Sequence, residues 1–184
     1  MNKGIRVTIT TLAFIGALAV TGCKSGTTGR HAMAELNPAS GSNVRGTVHF
    51  YETKKGVRVV ANVSGLTPGK HGFHIHDKGD CSAPDAKSAG PHFNPTKMKH
   101  GGPNDAERHA GDFGNITADA SGNATWKTVD SHISFDGPNS IIGKGVIVHA
   151  NEDDLKTQQS DTTTPPTTPG NAGARVACGE IKVM

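Results

Sequence analysis

Apolar and polar residues alternate along most of the chain, and this two-residue period is typical of strands that bury one face. The segments "VRGTVHFYE" and "GVRVVANVSGL" show it and are joined by "TKKG", a short link containing a glycine that predicts a hairpin. The pattern returns in "AMAEL", "HGFHIHD", "KGVIVHA" and "ARVACGEIKV", and twice in "GNITADASGNATWKTVD" around the turn "SGN". No segment shows convincing helical periodicity. We therefore predict about eight strands in an all-β, antiparallel sandwich or barrel.

Two long segments interrupt the strands, at residues 78–112 and 151–174. Loops of this length without secondary structure of their own are uncommon in compact domains, and those that occur are usually functional or disordered. Most of the histidines outside the predicted strands lie in or beside the first segment. We expect both segments to be functional loops.

The first 22 residues have the layout of a secretory signal peptide. Lys3 and Arg6 precede the apolar run "TLAFIGALAV", which is too short to span a bilayer as a helix. The run ends in "VTGC", which resembles the lipobox of bacterial lipoproteins and so implies cleavage before Cys23 and acylation of that residue. Residues 23–30 would then form a flexible tether, and residues 31–184 one domain. The alternative is an ordinary signal peptide cut a few residues later, with Cys23 discarded or free.

Charge and the anchor together constrain the partners. Removing residues 1–22 takes away two positive charges and no negative one, so the formal net charge of +3 falls to +1. A nucleic-acid partner would require a clustered basic face, which the sequence lacks. Contact with a membrane is expected only through the lipid on Cys23. Lys24, rather than an aspartate, follows Cys23, and this favours the outer membrane of a Gram-negative cell. We expect a lipid-anchored protein of the periplasm or cell envelope, and the sequence leaves open whether it forms a homodimer.

Two cysteines remain once Cys23 carries lipid. They are Cys81 and Cys178, and the signal peptide sends both to an oxidising compartment in which a disulfide persists. We predict a disulfide between them. The alternative is two unpaired, buried thiols.

One predicted strand carries a pair of histidines on a single face. Side chains at positions i and i+2 of a strand point the same way, so His74 and His76 project together while Phe73 and Ile75 project to the opposite, apolar face. His71 falls outside this pair. The motif alone is weak support for a metal site, because a solvent-facing pair would look identical.

Residues farther along the chain strengthen the metal interpretation. The additional candidates are His92, His100, His109, Asp112 and His149. Imidazoles with one carboxylate favour borderline ions such as Zn(II) and Cu(II), and seven ligands are too many for one tetrahedral ion, so we predict two metals. An adventitious metal trap or a solvated surface remains the alternative on spacing alone. His31, His49 and His132 have no evident partner and are expected to be exposed.

Six motifs then identify a resemblance. "GFHIHD", "GPHFNP", "KHGGP", "RHAGDFGNI", "SIIGKGVIVHANEDDL" and "GNAGARVACGEI" occur in the order found in the copper/zinc superoxide dismutase family, in its bacterial periplasmic lipoprotein form, over residues 31–184. The resemblance implies an eight-stranded Greek-key fold. It also implies copper held by His74, His76, His92 and His149, and zinc held by His92, His100, His109 and Asp112. His92 would bridge the two ions.

The resemblance assigns roles to other residues as well. It implies that His71 braces the site, that Asp153 connects a copper histidine to a zinc histidine, and that Arg175 orients the substrate. The implied reaction is dismutation of superoxide to oxygen and hydrogen peroxide by cycling of the copper ion, with His92 coupling proton to electron delivery. This activity would protect the cell envelope.

One segment departs from the family pattern. Relatives often carry ordered charges between Leu155 and Gly170, whereas here "KTQQSDTTTPPTTP" contains only Lys156 and Asp161. We expect weaker steering of the anionic substrate, and no effect of this segment on any metal ligand. Two rival hypotheses keep the fold: a non-catalytic copper- and zinc-binding envelope lipoprotein, and a zinc-stabilised adhesin.

Overall fold

A computed structural model of the protein describes Met1, residues 29–158 and residues 168–184. The predicted signal peptide after Met1, the predicted acylation site Cys23 and most of the predicted tether lie outside the described residues, as does Asp161. Within the described part of the chain, no helix is long and apolar enough to cross a membrane.

The predicted eight-stranded, all-β fold is confirmed. The strands are His31–Pro38 (β1), Arg45–Thr53 (β2), Gly56–Ser64 (β3), Gly69–His76 (β4), Asp112–Ala118 (β5), Ala124–Asp130 (β6), Gly145–His149 (β7) and Arg175–Val183 (β8). Two short 3₁₀ turns, Lys87–Ala89 and Pro169–Asn171, lie in the two long loops. Asp112, assigned to the first long loop from the sequence, is the first residue of β5.

The strands form one antiparallel arrangement in the order β5-β4-β7-β8-β1-β2-β3-β6. Strands β2 and β3 are joined by the predicted hairpin, in which Thr53 pairs with Gly56. The chain then crosses from β3 to β4, whose neighbours are β5 and β7, and crosses back between β5 and β6. These crossings give the Greek-key topology.

Aromatic side chains close the barrel where the hydrogen-bonded ladder is interrupted. The ring of Phe113 on β5 lies 5.2 Å from that of Trp126 on β6, and Phe73 on β4 packs against both at 5.5 and 5.3 Å. Rings at these separations add to the stabilisation from buried apolar area. Trp126 is therefore a packing residue that joins the two ends of the strand order.

Alternation along β4 has the predicted consequence, although all four side chains are buried. Phe73 and Ile75 are fully buried in the main apolar core. His74 and His76 point to the other face, which the two long loops cover, so they are also 0% and 1% exposed. The loops thus create a second, polar interior outside the barrel wall.

Candidate metal centre

Strand pairing brings His74, His76 and His149 together. Strand β4 pairs with β7, with His74 opposite Ile147 and His76 opposite Gly145, so that His149 ends β7 beside the two β4 histidines. The rings of His74 and His149 have their centres 5.0 Å apart. Two strands of one sheet therefore supply three imidazoles to one face.

The first long loop returns along β4 to add His92. Phe93 N–H donates to Ile75 C=O at 2.8 Å, and Asp77 N–H donates to Pro91 C=O at 2.9 Å. These bonds fix His92 opposite His76 in a short antiparallel bridge. The ring of His92 lies 4.1 Å from that of His74, centre to centre.

Together these residues form a buried group of four possible metal ligands. The candidate ligand atoms of His74, His76, His92 and His149 all lie within 4.8 Å of one another. Three of the rings direct one nitrogen to an oxygen acceptor: His74 Nε2 to Asp153 at 2.6 Å, His76 Nδ1 to Gly90 C=O at 2.8 Å, and His149 Nδ1 to Gly173 C=O at 3.2 Å. In the described part of the chain their other nitrogens are buried without a hydrogen-bond partner.

A second group of four ligands shares His92 with the first. It contains His92, His100, His109 and Asp112, again with candidate ligand atoms within 4.8 Å of one another. The Asp112 carboxylate lies between the rings, with oxygens 2.7 Å from His92 Nδ1, 3.0 Å from His100 Nδ1 and 3.2 Å from His109 Nδ1. Backbone N–H groups of His109 and Gly101 also donate to Asp112, at 2.9 and 3.2 Å, and orient the carboxylate.

Asp153 connects the two groups. Its carboxylate accepts from His74 Nε2 at 2.6 Å and from His100 Nε2 at 2.9 Å. The side-chain amide of Asn115 holds the backbone of Asp153 by two bonds, of 2.9 and 2.7 Å. The backbone of Gly170 packs against the carboxylate so closely that a Cβ there would lie 2.1 Å from Asp153 Oδ1, and only glycine fits.

His71 belongs to neither group. Its Nδ1 bonds to the carbonyl oxygen of His149 at 2.9 Å, and its Nε2 to that of Thr67 at 2.8 Å. The side chain is buried and links the start of β4 to the end of β7. Its bonds are those of a structural brace.

An open cleft leads to the first group. It is lined by His76, His92, His149 and Arg175, with Asp85 and Lys87 among the outer residues. The Arg175 guanidinium donates to Ala86 C=O and Gly90 C=O, both at 2.8 Å. Burial lowers the pKa of Arg175, partly offset by the charge of Asp85, and the group stays cationic. A fixed positive charge thus lies beside the histidines where a small anion would enter.

The predicted disulfide is present and helps to fix the position of Arg175 beside the cleft. Cys81 and Cys178 are bonded, with their Cα atoms 5.8 Å apart although they are separated by 97 positions in the sequence. Cys178 lies on β8 three residues after Arg175. The bond fixes the first long loop to the strand that carries the arginine.

The two ligand groups differ in protonation in the metal-free protein. Burial and the neighbouring imidazoles lower the pKa of His92 to about 3 and the pKa values of His76 and His149 well below the usual range. Burial also opposes protonation of His100, but Asp112 and Asp153 outweigh it and raise the pKa of that ring to about 9. His76, His92 and His149 are therefore neutral at pH 7, whereas the ring of His100 is protonated on both nitrogens.

The structure also corrects the exposure expected of two histidines and gives a third a partner that the sequence did not indicate. His31 and His49 are half-buried; they are bonded to each other, Nε2 to Nδ1, at 3.0 Å, and His31 stacks on Tyr51 with ring centres 4.6 Å apart. His132 is exposed as expected, yet its Nδ1 accepts from Arg108 at 2.9 Å. Contacts between segments that are distant in sequence, which a single-strand pattern does not show, account for these differences.

Sequence reasoning missed Arg108, although it immediately precedes His109. Arg108 is buried and donates to the backbone carbonyls of His109 and Asp112 at 3.1 Å each. Asp130 on β6 pairs with its other terminal nitrogen at 2.5 Å. The arginine therefore ties the second ligand group to the barrel.

The expectation that the segment after Leu155 does not affect any metal ligand is also wrong. The side chain of Gln158 makes two hydrogen bonds to the backbone of His100. No local pattern in the sequence indicates this contact, because it joins residues 58 positions apart.

Comparison with known proteins agrees with this architecture. Residues 44–181 match the model of the family described as copper/zinc superoxide dismutase (SODC). The chain is 46% identical over 152 residues to "Extracellular superoxide dismutase [Cu-Zn]" of Brugia pahangi, an alignment that covers 83% of this chain and 75% of the relative. It is 47% identical over 151 residues to "Superoxide dismutase [Cu-Zn] 2" of Mesembryanthemum crystallinum, with 82% and 93% covered.

A solved structure is also similar. The crystal structure of the clock protein EA4 superposes with a TM-score of 0.74 at 41% identity, over 86% of this chain and 97% of that one. The family match covers three quarters of the chain, and it agrees with the two ligand groups and the arginine beside the cleft. This chain therefore belongs to the copper/zinc superoxide dismutase family.

Proposed function

We propose that this protein dismutates superoxide to oxygen and hydrogen peroxide in the cell envelope. Copper would be held by His74, His76, His92 and His149, and zinc by His92, His100, His109 and Asp112. The observation that carries this assignment is the pair of buried four-ligand groups that share His92.

The residues present fit the two metals. Buried polar atoms are normally hydrogen-bonded, yet three of these ring nitrogens have no such partner among the described residues: His74 Nδ1, His76 Nε2 and His149 Nε2. Metal coordination would satisfy them. The other nitrogen of each ring has an oxygen acceptor, and such outer contacts fix the tautomer and orientation of metal-ligating histidines.

The protein's own groups prepare the substrate. When bound, copper supplies one-electron redox chemistry, and zinc, which does not change oxidation state, shapes the site. Arg175 presents a permanently charged, planar guanidinium to a small anion in the cleft. Peroxide leaves with two protons; because His92 Nδ1 faces Asp112, its Nε2 is the nitrogen that could hold one of them.

Location in the envelope is the other part of the proposal. The signal peptide over residues 1–22, the "VTGC" motif and the disulfide support export, followed by acylation of Cys23 and attachment to the outer membrane. The name of the Brugia pahangi relative, an extracellular enzyme, also favours export.

The position of the cleft is compatible with such an anchor. The described chain enters the barrel at Arg30 and His31, at the start of β1, while Ser40, just beyond the end of β1, lines the cleft. A strand of this length spans about 25 Å. An anchor before His31 would therefore leave the cleft open at the far end of the barrel.

The activity is tested with the mature chain, residues 23–184, loaded with both metals. We expect rapid dismutation of superoxide; absence of activity with both sites filled would favour the non-catalytic, metal-binding alternative. The location is tested separately by the mass of the protein extracted from membranes, with Cys23→Ser as the control. A mature chain without lipid would overturn the anchor and leave the activity intact.

A further inference from the structure

The side chain of Gln158 bonds to both backbone groups, the N–H and the C=O, of His100, a proposed zinc ligand. The N–H of His100 donates to Gln158 Oε1 at 2.8 Å, and Gln158 Nε2 donates to His100 C=O at 2.9 Å. The same Nε2 group also donates to Lys156 C=O at 2.8 Å, which fixes the amide in its own loop. The pair of bonds to His100 is reciprocal, like that between two facing residues of an antiparallel ladder.

His100 needs such a partner because its peptide groups have no place in a strand. It lies in the long loop between β4 and β5, it is buried, and none of the strand ladders described above includes it. Buried backbone N–H and C=O groups require hydrogen bonds, and leaving them unpaired is costly. Gln158 supplies both bonds from one side chain.

The same loop also holds the ring of His100. Asp153 accepts from His100 Nε2 at 2.9 Å, while Gln158, five residues farther along, holds the backbone. A residue fixed at the ring and at the main chain has little freedom in its side-chain torsions. Nδ1 is thereby held toward Asp112, in the second ligand group.

The chemistry of these bonds is specific to glutamine. A primary amide offers one acceptor and donor hydrogens in fixed positions, as both bonds require. Glutamate would keep the acceptor but place a negative charge beside the His100 carbonyl oxygen. Asn115 holds the backbone of Asp153 in the same reciprocal manner, so the protein uses an amide clamp twice around one centre.

We propose that Gln158 is a positioning residue for zinc, acting through the backbone of His100. The proposal rests on the role of His100 as a zinc ligand. It gives the segment after Leu155 a function in metal binding, in addition to its position near the cleft.

The test measures zinc affinity of the mature protein by competition with a chromophoric chelator, with copper already bound. We expect Gln158→Ala to weaken zinc binding about tenfold, as removal of an outer contact to a ligand commonly does, and Gln158→Glu to weaken it similarly. Lys156→Ala, in the same loop with an exposed side chain, should leave zinc affinity unchanged. Copper affinity and the visible copper spectrum should stay within the wild-type range in all three variants.

A double-mutant cycle with His100→Ala separates failure of the Gln158 proposal from failure of the zinc-ligand assignment. If Gln158 acts through His100, Gln158→Ala has no further effect on zinc affinity in the His100→Ala background. An equal effect in both backgrounds, wild-type zinc affinity in Gln158→Ala, or a parallel loss of copper and zinc would overturn the proposal. If His100→Ala itself retains wild-type zinc affinity, the assignment of the zinc ligands fails instead.

Discussion

His76 and Arg175 donate to the same backbone oxygen, the carbonyl of Gly90. His76 Nδ1 and Arg175 Nη2 each lie 2.8 Å from it. One carbonyl in the first long loop therefore sets both the orientation of a proposed copper ligand and the position of the charge that faces the substrate. The disulfide at Cys81 holds the same loop to β8.

Replacing Arg175 should separate substrate guidance from copper binding. We expect Arg175→Ala to lower kcat/KM for superoxide roughly tenfold or more, because steering of this kind raises association rates by about 10- to 1000-fold. Arg175→Lys should recover only part of the loss, since one ammonium group cannot replace the planar fork that bonds both Ala86 and Gly90. Pulse radiolysis with parallel copper analysis measures both quantities. Loss of copper in step with activity would contradict the assignment.

His74 and His71 provide a matched pair of buried histidines on one strand. We expect His74→Ala to lose copper and nearly all activity, because it removes a ligand of the first group. His71→Ala should retain copper and lower the free energy of unfolding by about 1–3 kcal/mol, since it removes the ring's hydrogen bonds to the backbone of His149 and to Thr67. Metal analysis and urea denaturation distinguish them. Copper loss in His71→Ala would show that it does more than brace the strands.

Zinc uptake by the metal-free protein should release a proton. The pKa of His100 is raised to about 9, so zinc must displace a proton from this ring at pH 7. Apparent zinc affinity should rise about tenfold per pH unit up to pH ~9 and then level off. Calorimetry in two buffers of different ionisation enthalpy measures the proton directly.

The stability of the metal-free fold should change with pH in the direction opposite to zinc affinity. Because the folded pKa of His100 lies above its ordinary value of 6.5, the ring stabilises the metal-free fold below that value. This contribution is lost as the pH rises through about 9. A metal-free protein whose zinc-binding heat is independent of buffer would contradict the assigned protonation state.

Charges at the mouth of the cleft should tune the rate. Lys87 and Asp85 form an ion pair of 3.0 Å there, with 79% and 47% of their side chains exposed. We expect Lys87→Gln to lower kcat/KM a few-fold at low ionic strength and Asp85→Asn to raise it. Both effects should fade near 0.15 M salt, where the screening length is about 8 Å.

The same measurement at varied ionic strength tests how the segment between Leu155 and Gly170, which has few charges, affects steering of the substrate. Because Lys156 and Asp161 are its only charged residues, turnover of the wild-type enzyme should fall less steeply with ionic strength than that of relatives with charged channel loops. An equally steep fall would contradict weaker steering.

Loss of the disulfide should be costly because it closes a long loop. With Cys81 and Cys178 separated by 97 positions in the sequence, the chain-entropy model gives about 4–5 kcal/mol. We expect Cys81→Ala to lower the free energy of unfolding by this order, as measured by urea denaturation of the metal-loaded protein. Reduction of the wild type by dithiothreitol is the matched control. An unchanged denaturation midpoint would contradict the role of the bond.

Much of the fold followed from local pattern. The two-residue alternation located all eight strands and separated Phe73 and Ile75 from His74 and His76, because the direction of a side chain in a strand depends only on its position along the backbone. Histidines and one aspartate farther along the chain supplied the remaining candidate ligands, and the family motifs divided them between two metals. Alternation did not show that both faces of β4 are buried, since the cover on the second face comes from distant loops.

The sequence by itself therefore determined the strands, the candidate ligand types and the family, all of which depend on near neighbours or on motifs. The tertiary structure decided that Asp153 joins His74 to His100, that Arg108 ties the second ligand group to β6, and that Gln158 holds the backbone of His100. These contacts link residues 22 to 79 positions apart. A hydrogen bond between such residues forms only after the barrel has placed both loops against each other, and no short-range pattern in the sequence specifies that placement.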